Sequence, residues 1–251
     1  MDEELSSAVP AVTAAGSWAT FWRDLRWSFR SWASGSSFVL LTAVVAILLR
    51  LLLGEASGLY WIGYLALLGF PGTQRIFYLR EYKAERFSLI EVLTLTKRFT
   101  LRFFRLGLVL IIPTGVATII AIVVVHGWQS TAHNSALPLR VRIAELVVVF
   151  LIDALLTFVT PALVFSTGSA VEALKIGFRT LRSTWPSSAW YVFTPGLTMS
   201  ALVLVLPTQA VNVTVGVVIS VAGAMLAFGF RGAVVPYYLR RIGPVGDDGA
   251  A

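Results

Sequence analysis

One carboxylate in this chain sits where a carboxylate is expensive. Asp153 lies in the run VVVFLIDALLTFV, near the middle of a long apolar stretch. An ionised acid at mid-depth in a bilayer costs at least a few kcal/mol unless it is paired, protonated or hydrated. Facing the interior of a bundle, Asp153 would suggest a proton or ion path. The plainer alternative is a neutral acid bonded to a neighbouring group, for which Thr157, one helical turn on, is available. Glu145 lies nearer the outer surface on the same stretch, and Arg50 near the outer end of the first apolar run matches it in depth. Little else is arranged for chemistry. His126 and His133 share a polar loop without an acidic neighbour, which is poor metal-ligand spacing. There is no cysteine, hence no thiol nucleophile and no thiolate metal site. Phosphate-cradling glycine loops and the Gly-x-Ser-x-Gly elbow are missing too. The expectation is a non-enzymatic protein with no cofactor.

The elements that must position Asp153 are membrane spans. Hydrophobic residues make up 57% of the 251 residues and charged ones 13%, about half the charge of a typical soluble domain. Mean hydropathy is +0.81. A span needs about 20 mostly apolar residues, and the sequence supplies six, at about 37–53, 58–73, 104–125, 143–165, 188–206 and 213–235. The second closes at Phe70-Pro71-Gly72. Very short links, Gly54–Ser57 and Leu206–Asn212, make tight hairpins of the first and last pairs. The expected fold is an all-α polytopic membrane helical bundle, a single membrane domain over 17–241 between flexible tails at 1–16 and 242–251.

Lys and Arg fix the orientation. They collect before the first span (Arg23, Arg26, Arg30), after the second (Arg75, Arg80, Lys83, Arg86, Lys97, Arg98), after the fourth (Lys175, Arg179, Arg182) and at the C-terminus (Arg240, Arg241). Both termini are therefore expected in the cytoplasm. The net charge of +7 is explained by this topology and calls for no nucleic acid. Residues 17–33 are expected to form an amphipathic helix. Trp18, Phe21, Trp22, Leu25, Phe29 and Trp32 share one face beside the arginine stripe, and Trp27 points away from it. Such a face suits the headgroup layer or a seat against the spans.

Two further cytoplasmic helices are expected, at about 88–102 and 169–183. Each opens with Ser-x-x-Glu, Ser88 to Glu91 and Ser169 to Glu172, the pattern of a capping box. Each carries an arginine at the same later offset, Arg98 and Arg179, where the helix dipole favours a cation. Prolines follow at nearly matching places, Pro113 and Pro195. The pattern reads as an internal repeat of amphipathic helix, span out and span back, present in three copies with the first degenerate at its cap.

The stretch Pro161–Trp185, PALVFSTGSAVEALKIGFRTLRSTW, resembles a signature of bacterial six-span proteins related to the membrane domain of glycerophosphodiester phosphodiesterases and allied uncharacterised families. Pro161, Ser169, Glu172, Ala173, Leu174, Lys175 and Arg179 carry the likeness. It implies a fold in the bacterial cytoplasmic membrane and no hydrolase activity, since the catalytic barrel of those enzymes is a separate soluble domain. The function expected is a scaffold, assembly or lipid-associated module whose partners are the bilayer and anionic inner-leaflet lipids, with a homo-oligomer as a further possibility. The alternative is the permease subunit of an ATP-driven exporter, in which Ser88–Arg105 would contact a cytoplasmic ATPase.

Overall fold

The structure, a computed structural model, describes residues 14–53, 63, 65–126, 139–205 and 213–242, and every regular element among them is α-helical. The helices are α1 (Ala14–Ser34), α2 (Ser36–Leu53), α3 (Phe70–Tyr82), α4 (Glu91–His126), α5 (Leu139–Phe165), α6 (Ala170–Thr184), α7 (Ala189–Val205) and α8 (Val213–Ile242). Within them, Glu91–Val116, Leu146–Phe165 and Thr214–Arg241 are long and apolar enough to cross a membrane, and α1 with α2 makes a fourth candidate if that bent pair is one span. Helix α7, at 17 residues, covers the span expected at 188–206. The greater part of the span expected at 58–73, both tight hairpin links and the outer tails lie outside the described residues.

Three boundaries differ from the sequence expectation. Helix α1 begins at Ala14 rather than 17. The cytoplasmic helix expected at 88–102 and the span at 104–125 are one continuous helix of 36 residues, α4. A charged segment followed by an apolar one reads as two elements, but nothing between Arg102 and Phe104 breaks the backbone ladder. Pro71, expected at the close of the second span, sits in the first turn of α3, where a missing N–H costs nothing.

Helices α1 and α2 meet at an angle of 99°. The elbow is Gly35, where a Cβ would stand 2.2 Å from the ring of Phe77, so only glycine lets that ring fill the corner. Phe77, Phe38, Tyr78 and Phe228 pack there as one aromatic core, with Trp32 stacked on Phe228 at 5.6 Å. Helix α1 runs across α8 and touches α7, α2 and α3. Helix α6 folds back along α5 through a small-residue face of Ala170, Ala173, Gly177, Thr180 and Thr184. At Gly177 a Cβ would stand 2.6 Å from the backbone of Val159, so the two helices are almost in backbone contact. The larger apolar residues Val171 and Phe178 are left exposed on its outer side, beside Lys175, Arg179 and Arg182.

Candidate functional site

Three helices bring together an unusual set of polar side chains, some buried and some at the surface. Helix α3 contributes Gln74 and Arg75, both buried. Helix α8 contributes Arg231. Helix α5 contributes Asp153, Thr157 and Thr160, which share one face because their spacing matches successive helical turns. Arg75 donates from Nη2 to Thr160 Oγ1. The Thr160 hydroxyl itself donates to Leu156 O at 3.1 Å, which leaves its lone pairs free to accept. Arg231 donates from Nη1 to Gln74 Oε1 at 2.6 Å.

The guanidinium of Arg75 is far from satisfied. Its Nε and Nη1 are buried without a hydrogen-bond partner, an arrangement that costs more for a charged group than for a neutral one. Arg75 lies outside the candidate spans, and burial followed by the charge of Arg231 brings its pKa down to about 9, so it remains cationic at neutral pH. Asp153 is exposed, and its carboxylate feels the charges of Arg231 and Arg75. Thr157 does not serve that carboxyl: its hydroxyl donates to the backbone carbonyl of Asp153 at 3.0 Å, the common back-bond of a helical threonine.

A second polar constellation fixes α1. Asp24, buried, accepts from the Tyr191 hydroxyl of α7 at 2.6 Å and from Arg240 Nη2 of α8. Beside it Ser28 Oγ donates to Gly229 O at 2.8 Å, and Trp32 Nε1 donates to the Tyr78 hydroxyl at 2.8 Å. Gly232 admits this approach, since a Cβ there would stand 2.1 Å from Ser28 Oγ. The inner face of α1 is thus Phe21, Asp24, Leu25, Ser28 and Ser31. Trp18, Trp22, Phe29, Arg23, Arg26 and Arg30 are exposed, and Trp22 with the three arginines lines a shallow groove of about 520 Å³. Trp18 also leans on Trp190 of α7 at 4.5 Å. Trp27, which points away from the Trp18–Phe29 face on the helical wheel, is half-buried against Tyr78 and Tyr82, because α3 covers that flank of α1.

The two Ser-x-x-Glu segments differ. Ser169 caps α6, accepting from Glu172 N–H at 3.5 Å, while Glu172 Oε2 accepts from the Thr167 hydroxyl at 2.7 Å. Thr167 Oγ1 in turn accepts from Ser169 N–H at 3.1 Å, so the return arm of the box runs through a threonine. Ser88 instead accepts from Ile90 N–H at 3.3 Å, and Glu91 pairs with Arg80 at 2.7 Å. Arg98 is half-buried on α4, and Arg179 is exposed on α6. The side chains of Arg50, Glu145 and His126, and the whole of His133, lie outside the described residues. Among the described residues no cluster of acids and histidines could hold a metal.

Arg75, Arg231, Gln74 and Asp24 are functional candidates that sequence reasoning missed. Arg231 was legible, as a charge inside the sixth apolar run. Arg75 was not: counted among the basic residues of a loop after Pro71-Gly72, it is buried because α3 continues inward. Comparison of the chain with protein-family models, curated proteins and solved structures gives no match.

Proposed function

We propose that this chain is a six-span, lipid-associated module of a bacterial inner membrane, with cytoplasmic termini, three repeated hairpins and no catalytic role, and that it holds anionic lipid along α1. The resemblance of Pro161–Trp185 to the six-span proteins supports the architecture. The observation that carries the function is the two-sided character of α1: its inner face is bolted to α7 and α8 through Asp24, while its outer face presents Trp18, Trp22 and Phe29 among Arg23, Arg26 and Arg30. A face of that composition matches the boundary between acyl chains and anionic headgroups, where each arginine is worth about 1 kcal/mol. The test is reconstitution into phosphatidylcholine vesicles with or without phosphatidylglycerol carrying brominated acyl chains. Brominated phosphatidylglycerol should quench tryptophan fluorescence more than brominated phosphatidylcholine does, and Arg23→Gln/Arg26→Gln/Arg30→Gln should remove the difference. Equal quenching by both lipids would refute the reading.

A permease subunit is the second reading, and one feature favours it. At the start of α4, Ile90 and Leu93 are 89% and 78% exposed, an apolar tip suited to docking a soluble ATPase. Purification from the native membrane with mass spectrometry of the recovered chains distinguishes the two. A stoichiometric nucleotide-binding subunit, lost with Ile90→Ser/Leu93→Ser, would select the permease.

A further inference from the structure

Arg75 of α3 is tied to Thr160 of α5, and its chain neighbour Gln74 accepts from Arg231 of α8, which brings both guanidiniums to the region between these helices; among the described residues the acid in their field is Asp153. Among the described residues one positive charge is therefore unmatched, Arg75 being buried, and like charges in low dielectric repel strongly. The donors are unmatched as well. Arg231 spends one nitrogen on Gln74 and Arg75 one on Thr160, while Arg75 Nε and Nη1 have no acceptor at all. Both gaps have the same remedy, a small acceptor-only group of negative charge.

We propose that Arg75 and Arg231 form an internal binding site for a phosphate-type oxyanion. An oxyanion supplies several acceptor atoms in the geometry a guanidinium favours. Thr160 and Gln74 orient the two arginines by taking one donor from each. Asp153, exposed beside them, is a like charge to the ligand and holds its affinity down. The chemistry fits either inorganic phosphate or a lipid phosphate reaching in from the headgroup layer, and the site is separate from the outer face of α1.

The experiment uses the full-length protein in non-ionic detergent, its melting followed by tryptophan fluorescence. Titration with inorganic phosphate, against sodium chloride at matched ionic strength, should give a saturable rise in Tm that is absent in Arg75→Gln and in Arg231→Gln. Should these variants fail to fold, two milder ones carry the test. Asp153→Asn should tighten phosphate binding about tenfold by removing a like charge, and Thr160→Val should weaken it severalfold. A second arm offers phosphatidylglycerol or an uncharged galactosyl diacylglycerol to the Arg23→Gln/Arg26→Gln/Arg30→Gln background and counts retained lipid by native mass spectrometry. Preference for phosphatidylglycerol that Arg75→Gln abolishes, with no response to free phosphate, would identify a lipid source; a phosphate response identifies a free anion. No response to either, or a response unchanged in Asp153→Asn and Thr160→Val, overturns the proposal.

Discussion

At the scale of single residues, Asp24 links three helices through one carboxylate. Asp24→Ala removes the acceptor of both Tyr191 and Arg240. Stranding a buried partner typically costs 3–5 kcal/mol, and since Arg240 is 35% exposed and can turn to water, a loss of about 3 kcal/mol is expected. Asp24→Asn, which keeps an acceptor for Tyr191, should lose less. Arg26→Ala, on the outer face of the same helix, should change stability by no more than about 0.5 kcal/mol. Denaturant titration followed by tryptophan fluorescence checks all three. Asp24 was hard to find in the sequence, since one acid among arginines on an amphipathic helix resembles a solvated charge. Its burial is decided by Tyr191 and Arg240, far along the chain. Asp153 was easy to single out because its own neighbours are all apolar, yet the electrostatic influence of Arg231 and Arg75 on it was not legible, since they belong to other helices.

At the scale of elements, the tight contacts are made by glycines. Gly177→Ala places a methyl group 2.6 Å from the backbone of Val159, and forcing α6 off α5 should cost about 1–3 kcal/mol. At Gly107 on α4 an added methyl group would meet nothing within 4 Å, so Gly107→Ala should instead stabilise by up to about 1 kcal/mol through helix propensity. Thermal melts of the pair test whether packing or propensity governs each position. The helices themselves were readable, because apolar runs and the Ser169 cap are local signals. Their joins were not: the fused helix α4 and the inward course of α3 depend on what packs beside them. On α6 the small residues make the closest approach, while Leu174, Ile176 and Leu181 pack beside them.

At the scale of the whole molecule, topology is open to a clean test because the chain has no cysteine. In the six-span arrangement, cysteines placed singly at Ala84 and Ser183 should react with an impermeant maleimide only from the cytoplasmic side, and one at Ser130 only from the outside. Labelling of Ser130→Cys from the same side as Ala84→Cys would exclude that arrangement. An all-helical membrane protein was legible from composition and run length, whereas the way α1 lies across α8 was not, since no local pattern encodes a contact between the two ends of the chain. The Asp24–Arg240 bond spans a separation of 216 residues, and that has a consequence for biogenesis. During synthesis α1 emerges before its partner on α8, so the face that α8 covers must wait until α8 has followed it. Insertion of the helices between them precedes this closure, and docking of α1 on α8 becomes a late step of folding. A nascent chain halted before Arg240 would display Phe21, Asp24 and Leu25 to the quality-control machinery as the mark of incomplete assembly.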